Sequence, residues 1–293
     1  MDFIKSISDI SVLLFPVASM FAVGLSFTFS QLIRPFRYPD RVFRAIVANF
    51  ILVPLLALGI SRLFSLDPPL AAGVLLVGTA AGAPFLLKLT QVANADVSLG
   101  ASLLVLLMPL TVLFMPLVIP LIIADVSVNA IGIAIPLILT MLLPLIIGHT
   151  MDSLFPKLAV RILPIVNRIS SIALLTLVVS TVLLNGSLFL ELGTVAIAAA
   201  VLLTAGGFAM GYLISSQGFN RRTVMGLGAG QRNIAAALVV ASQDFKDPKT
   251  LFMVVLFSVI DLLVLFPIAL LLRRSSESSS PPKFKGRVAP SHG

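Results

Sequence analysis

Nine apolar stretches, each long enough to cross a lipid bilayer, dominate this sequence of 293 residues. A transmembrane helix needs about 20 predominantly apolar residues. Backbone polar groups in lipid must be satisfied within the chain, so stretches of this kind form helices. The stretches cover residues 10–32, 43–64, 70–92, 97–124, 130–151, 160–185, 191–216, 221–242 and 248–273. The sequence therefore predicts an all-α membrane protein with about nine transmembrane helices.

The composition supports this class and argues against several kinds of chemistry. Hydrophobic residues make up 58% of the chain and charged residues 11%, whereas soluble domains carry about 25% charged residues. The chain has no cysteine and two histidines, which argues against disulfides, thiolate nucleophiles and a histidine-built metal site. No nucleotide-binding motif, nucleophile elbow or zinc signature is present. We therefore expect no enzyme activity, no metal centre and no nucleic-acid partner.

The positive charges are concentrated in alternate connectors between the predicted spans. Loops rich in lysine and arginine face the cytoplasm, which predicts an external N-terminus and a cytoplasmic C-terminus in the plasma (inner) membrane. The segment 275–293 is rich in serine and proline and is predicted to be a disordered cytoplasmic tail. The cation-rich connectors are residues 34–44, 157–161, 221–222 and 273–287.

Two glycine-rich segments, residues 78–84 and 226–233, interrupt apolar spans near their middles. Non-helical backbone at membrane depth is tolerated only where it is buried in protein or lines a cavity. An offset of 148 residues aligns the two segments, pairing Gly78 with Gly226 and Gly82 with Gly230. Because the predicted orientation runs the two spans in opposite directions, the pattern is typical of a secondary transporter built from inverted repeats, with its binding site at the breaks.

Three charged residues stand out inside the predicted spans, where such a residue costs about 2.5–3.5 kcal/mol at the helix centre. Arg232 begins the apolar half-helix after the second break, so we interpret it as an anion-binding group; the alternative is an arginine neutralised by a carboxylate such as Asp261. Lys88 is either a second anion contact or a lysine that extends to the membrane surface. Asp261 is a proton carrier, a counter-ion of either cation, or a substrate contact.

The sequence resembles the bile acid:sodium symporter family over about residues 14–273. The resemblance rests on residues 73–82, 226–238 and 256–259. It implies that two broken helices cross in a core domain, next to a cavity for organic anions, and that a panel domain packs against the core. On this resemblance the core comprises residues 43–124 and 191–273, and the panel comprises residues 10–32 and 130–185.

This chain differs from the sodium-coupled members at positions near the breaks. The resemblance places a Glu and a Gln where the chain has Gly226 and Gly230, and a Ser-Asn pair at residues 81–82. Losing these ligands implies transport that is independent of sodium or coupled to protons. The alternative is a sodium symporter that uses the remaining hydroxyls and backbone carbonyls. The candidate ion-coupling residues are Asn49, Ser98, Ser102, Gly226, Gly230 and Asp261.

These observations predict secondary active transport of a small organic anion, carboxylate-like or bile-acid-like, by alternating access. A fixed cation, Arg232 or Lys88, would supply the charge that sodium supplies elsewhere. A membrane sensor that uses the same cavity without transport is the second hypothesis. We expect no cofactor apart from sodium or a proton as coupling ion, and the expected partners are the anion and the lipid bilayer, with the protein a monomer or weak oligomer. The candidate substrate contacts are Thr79, Ala80, Gly82, Ala83, Lys88, Gln231, Arg232, Asn233 and Asp261.

Overall fold

The structure, a computed structural model, describes residues 2–26, 38–123, 130–184, 186–215 and 218–278. All regular elements in these ranges are helical. Eight helical spans are long and apolar enough to cross a membrane, and Pro68–Thr79 is a shorter apolar helix. The helices are α1 (Asp2–Gly24), α2 (Pro39–Leu63), α3 (Pro68–Thr79), α4 (Leu86–Val92), α5 (Val97–Ile122), α6 (Ala130–Leu154), α7 (Pro156–Leu184), α8 (Gly186–Ile214), α9 (Phe219–Gly230), α10 (Ile234–Asp244) and α11 (Pro248–Ser278). The prediction of an all-α membrane protein with about nine spans is confirmed.

The outer surface of the described helices carries large apolar side chains. Leu121 is 82% exposed, Leu213 is 76% exposed and Leu63 is 73% exposed. Soluble monomers rarely expose large continuous apolar patches. This surface therefore matches a lipid environment.

The predicted spans differ from the observed helices mainly at their ends. Helix α1 begins at Asp2 rather than at residue 10, and α11 continues to Ser278, into the segment predicted as a tail. Hydropathy locates the apolar middle of a helix, whereas polar residues at its ends can stay helical in water. Residues 27–32 of the first predicted span and residues 279–293 of the predicted tail lie outside the described residues.

Helices α2 and α6 each contain a π-helical turn just before a proline. The turns are Ala48–Leu52 and Ile138–Leu142, and Pro54 and Pro144 follow them. In α2 the backbone N–H of Val53 donates to Ala48 O, five residues earlier. Continuing this spacing would pair residue 54 with Asn49, but proline has no N–H to donate. The proline thus leaves the Asn49 carbonyl free for another donor.

Helices α1, α6 and α7 pack against one another as a layer. Gly24 and Gly148 allow α1 and α6 to meet backbone to backbone. A Cβ at Gly24 would lie 2.2 Å from Leu145 O, and one at Gly148 would lie 2.4 Å from Phe21 O. The rest of the core is built from α2–α5 and α8–α11, where an 18-residue stretch of the α9–α10 span is buried throughout.

Equivalent helix ends recur along the chain at a spacing of 151 residues. The predicted offset of 148 was wrong by nearly one helical turn, because the glycines used to align it at 226–230 lie inside α9. The corrected spacing makes Ala81 equivalent to Arg232. The matching pairs are residues 63 and 214, 68 and 219, 79 and 230, and 97 and 248.

Contacts between helix ends show that α3 and α9 run in opposite directions. Arg44 Nη1, near the start of α2, donates to Ile214 O at the end of α8 at 2.9 Å. Lys249 Nζ, at the start of α11, lies 2.7 Å from Asp67 Oδ2, just before α3. Helix α9 therefore begins at the face where α2 begins, and α3 begins at the face where α2 ends. Which of these faces is cytoplasmic stays a prediction.

Candidate functional site

The two breaks contact each other in the buried core. The first break separates Thr79 from Leu86, and the second separates Gly230 from Ile234. The second is shorter than the glycine pattern predicted, because residues 226–230 form the last turn of α9. The N–H of Asn233 donates to Ala80 O at 2.9 Å. The two broken helices therefore cross with their non-helical backbones hydrogen-bonded together.

Side chains of Asn233 and Thr111 hold the backbone of the first break in place. Asn233 Nδ2 donates to Gly82 O at 3.0 Å. Thr111 Oγ1, on α5, accepts from the N–H of Ala81 and donates to Ala81 O, both at 2.9 Å. Gly82 has φ +77°, and a Cβ there would lie 2.7 Å from Met108 N. Glycine is therefore needed at this position for both its conformation and its close approach to α5.

The guanidinium of Arg232 is fully buried and surrounded by oxygen acceptors. Its Nε donates to Val77 O at 3.2 Å, and its Nη2 donates to Gly78 O at 2.7 Å. Nη2 also donates to Asn49 O at 3.4 Å. Nη1 donates to Asn49 Oδ1 at 3.0 Å and to Ala229 O at 3.3 Å. These five bonds match the five N–H donors that a guanidinium has.

This arrangement corrects the interpretation of Arg232 as a direct anion contact. Every guanidinium N–H is already bonded to a neutral oxygen, so none is left for a bound anion in this conformation. The alternative prediction was neutralisation of Arg232 by a carboxylate such as Asp261, which lies next to Arg232 but contacts its backbone. Asp261 Oδ2 accepts from the backbone N–H of Arg232 at 3.3 Å, and its side chain makes no ion pair with the guanidinium.

Asp261 lies fully buried in the middle of α11. Its Oδ1 accepts a hydrogen bond from the hydroxyl of Thr204 on α8. With the bond from Arg232 N, this carboxylate fastens the second break to α8 and α11. Sequence reasoning missed both Thr111 and Thr204; their signal was a hydroxyl in the middle of an otherwise apolar span.

A cavity of about 170 Å³ lies against the crossing, where the breaks meet α1 and α7. Residues Ile234 and Ala235 bring the N-terminus of α10 to its wall. Gln231, only 5% exposed, also borders it, and its Oε1 is buried without a hydrogen-bond partner. The polar residues that line the cavity are Ser19, Ser170, Ser171, Gln231, Arg232, Asn233 and Ser258.

The predicted substrate contacts are placed in different surroundings. Ala83 joins Gln231, Arg232 and Asn233 in the cavity wall. Thr79 is buried and its hydroxyl donates to Leu75 O within its own helix at 2.8 Å. Lys88 is exposed on α4, which matches the surface alternative and separates it from the crossing. Ala80, Gly82 and Asp261 hold the breaks together and are not part of the cavity lining.

The predicted ion-coupling residues do not form one cluster in the described structure. Ser102 Oγ donates to Ser98 O at 2.9 Å. Ser102 lines a second cavity of about 90 Å³, which shares no lining residue with the first. Gly226 and Gly230 pack against neighbouring side chains, and Asn49 binds Arg232. Within the described ranges, no group of three or more His, Cys, Asp or Glu side chains is arranged to hold a metal ion.

Comparison with known sequences identifies the family. Residues 12–192 match the sequence model of the Sodium Bile acid symporter family. The chain belongs to this family. The resemblance predicted from the residues around the breaks is confirmed.

Relatives from plants and bacteria align with most of the chain. The probable sodium/metabolite cotransporter BASS1 of Arabidopsis thaliana chloroplasts is 27% identical over 79% of this chain and 59% of the relative. The probable sodium/metabolite cotransporter BASS2 of Oryza sativa subsp. japonica chloroplasts is 27% identical over 78% of this chain and 56% of the relative. The uncharacterized sodium-dependent transporter YocS of Bacillus subtilis (strain 168) is 24% identical over 77% of this chain and 72% of the relative. The chain spans less than two thirds of the length of the two plant proteins, and all three names are those of transporters rather than enzymes.

Proposed function

We propose that this protein is a secondary transporter of a small organic anion, with the cavity at the crossing as its substrate site. The observation that carries this proposal is the position of the cavity at the N-terminus of α10, with the side chain of Gln231 in its wall. A helix N-terminus favours negative charge because the positive end of the helix dipole lies there. Membership of the symporter family supports transport as the activity.

The size and lining of the cavity favour a small carboxylate. Its volume of about 170 Å³ is below the roughly 300–1,000 Å³ of pockets that enclose drug-sized ligands. Serine hydroxyls and the side-chain amide of Gln231 supply hydrogen-bonding groups around it. The remaining lining includes Phe15 and Phe85, which can pack against a short carbon chain.

Alternating access is the transport mechanism that the packing supports. The cavity lies at a boundary between two sets of helices: Phe15 and Ser19 come from α1 and Ser170 from α7, whereas Gln231 and Ser258 come from the crossing and α11. Sliding the core helices α2–α5 and α8–α11 against the layer of α1, α6 and α7 would expose this boundary to each face in turn. The proposal includes a plasma-membrane location with an external N-terminus and a cytoplasmic C-terminus.

Ligand binding to the purified full-length chain tests the substrate class. Short mono- and dicarboxylates should raise the midpoint of thermal unfolding, and their neutral amides should not. Gln231→Ala should weaken the carboxylate effect about tenfold, since it removes the Nε2 amide donor from the cavity wall, and a hydrogen bond is worth roughly 1–1.5 kcal/mol. Gln91→Ala, which changes an exposed glutamine on α4, is the matched control and should bind normally.

Uptake into proteoliposomes then separates transport from sensing. A bound carboxylate that accumulates inside the vesicles supports the proposal. Binding that depends on Gln231 without any uptake would indicate a membrane sensor instead. A screen in which no carboxylate stabilises the protein would overturn the proposed substrate class.

A further inference from the structure

We propose that the guanidinium of Arg232 is a tethered cation that permanently fills the position of a coupling ion, so that transport by this chain does not require sodium. The inference rests on the proposed transport function, but its central claim concerns ion binding and is tested without a substrate. It assigns Arg232 a role different from that of an anion contact.

The surroundings of Arg232 are those of a cation site. Its five N–H groups face five oxygens: the carbonyls of Val77, Gly78, Ala229 and Asn49, and the side-chain oxygen of Asn49. Half-helix C-termini and unwound carbonyls are the groups that coordinate sodium in transporters with broken helices. The site here combines the C-terminal ends of α3 and α9, so it carries the negative ends of both helix dipoles.

Apart from Val77 O, which also accepts from the N–H of Ala80 at 3.2 Å, these oxygens would be costly to leave unpaired. The last carbonyls of a helix have no intrahelical partner, and a helix end buried without one is destabilising. Because Pro54 has no N–H, the Asn49 carbonyl also lacks a hydrogen-bond donor within its helix. One positively charged group satisfies all of them, and an arginine side chain keeps its charge because it does not deprotonate in proteins.

Packing around α9 also restricts further ion ligands. A Cβ at Gly226 would lie 2.9 Å from Phe208 Cε2 and 3.0 Å from Phe208 O. A Cβ at Gly230 would lie 2.9 Å from Leu265 Cδ2 and 3.1 Å from Thr204 O. Side chains with oxygen ligands do not fit at these two positions without moving their neighbours. A sodium ion would also have to displace a cation that is covalently attached beside the site.

Sodium itself is the first probe, used on the unmodified protein. The midpoint of thermal unfolding should be the same in sodium chloride and in choline chloride at equal ionic strength. An ion that binds the folded state raises this midpoint. A rise of more than about 2 °C that is specific to sodium, which for a chain of this size corresponds to appreciable binding energy, would overturn the inference.

Removing the side chain provides the second test. Arg232→Ala should lower the midpoint by several degrees, and low-millimolar guanidinium chloride should restore at least half of the loss. Sodium should stabilise this variant more than the wild type if the vacated oxygens accept it. Arg221→Ala, at an exposed arginine on α9, should show neither the loss nor the rescue. An Arg232→Ala protein as stable as Arg221→Ala, or one that guanidinium does not restore, would contradict a cation site.

Arg232→Lys keeps the experiment informative if the alanine variant cannot be purified. An ammonium group keeps the charge but has three donors on a single nitrogen, so it cannot reach five separated oxygens. We expect a lower midpoint than in the wild type, and wild-type stability of Arg232→Lys would contradict the five-oxygen site. If neither variant can be purified, the comparison of sodium with choline on the wild type decides the question.

The outcomes separate this inference from the proposed function. If no carboxylate binds, the proposed substrate class is wrong, but the inference of a tethered cation is unaffected. If sodium specifically stabilises the wild type, the inference of a tethered cation is wrong, but the proposal of anion transport is unaffected. Once a substrate is known, equal uptake in sodium and choline media would support both anion transport and its independence of sodium.

Discussion

At the scale of single residues, Asn233 has two structural tasks at the crossing. Its Oδ1 accepts from the N–H of Ala236 at 3.2 Å and so caps α10. Its Nδ2 donates to Gly82 O in the first break. A side-chain amide can accept at one atom and donate at the other, which fits the residue type at this position.

Substitutions of Asn233 should separate these tasks. Asn233→Ala should destabilise the protein by about 2–4 kcal/mol, since it removes a cap worth about 1 kcal/mol and leaves a buried carbonyl unpaired at about 1–3 kcal/mol. Asn233→Asp keeps the cap acceptor and loses the donor, so it should still be less stable than the wild type. Unfolding in mixed micelles measures both, with the exposed Asn167→Ala as control. Wild-type stability of Asn233→Asp would show that the bond to Gly82 contributes little.

The sequence indicated which polar residues lie at the crossing, but not the direction of the Arg232 side chain. Gln231, Arg232 and Asn233 were recognised as important because polar residues at membrane depth are costly. The direction of the Arg232 side chain was not predictable, because it depends on carbonyls that lie far away in sequence. Lys88 carries the same charge in a similar span, yet it lies on the surface, since its face of α4 is not covered by another helix.

At the scale of helices, glycines control how closely α8 and α9 approach each other. A Cβ at Gly207 would lie 2.8 Å from Ala229 O, and one at Gly211 would lie 2.4 Å from Met225 O. Small residues allow helix backbones to pack closely in a membrane. Gly226 and Gly230 belong to the same interface, since a Cβ at either would meet Phe208 of α8. This packing explains why the stretch is helical although its composition suggested a break.

Two glycine-to-alanine substitutions on α8, one in open space and one in a close contact, test this packing. Alanine is favoured over glycine within a helix by about 1 kcal/mol. Gly193→Ala meets nothing within 4 Å, so it should stabilise the protein by up to that amount. Gly211→Ala should instead destabilise it by about 1–3 kcal/mol, because overpacking forces the helices apart. Thermal unfolding of both variants measures the difference, and similar midpoints would contradict close packing at Gly211.

At the scale of the whole molecule, the sequence predicted the number and class of the spans but misplaced the internal repeat. Long apolar stretches identify helices independently of their neighbours. Aligning the repeat required knowing where α9 ends, and the glycines near Gly230 gave a register three residues too short. The opposed directions of α3 and α9 were nevertheless predictable, because loop charges fix the course of the chain.

The absence of cysteine makes the predicted orientation directly testable. Lys246 and Arg221 are exposed and lie near opposite ends of the α9–α10 span. In intact cells, a membrane-impermeant maleimide should label Lys246→Cys, and it should label Arg221→Cys only after permeabilisation. The wild-type chain, without thiols, is the control for both. The reverse labelling pattern would place the N-terminus in the cytoplasm.

The chain order of the Arg232 contacts has a consequence for biosynthesis. The oxygens of Asn49, Val77 and Gly78 receive donors from a residue that follows them by 154 to 183 positions. At about 5–20 residues per second, these acceptors are synthesised roughly 8–37 seconds before their partner. Until the segment after α9 is synthesised, these acceptor oxygens in the first half of the core have to be hydrated or held by the insertion machinery. Completion of the crossing is then a late event in the insertion of this protein.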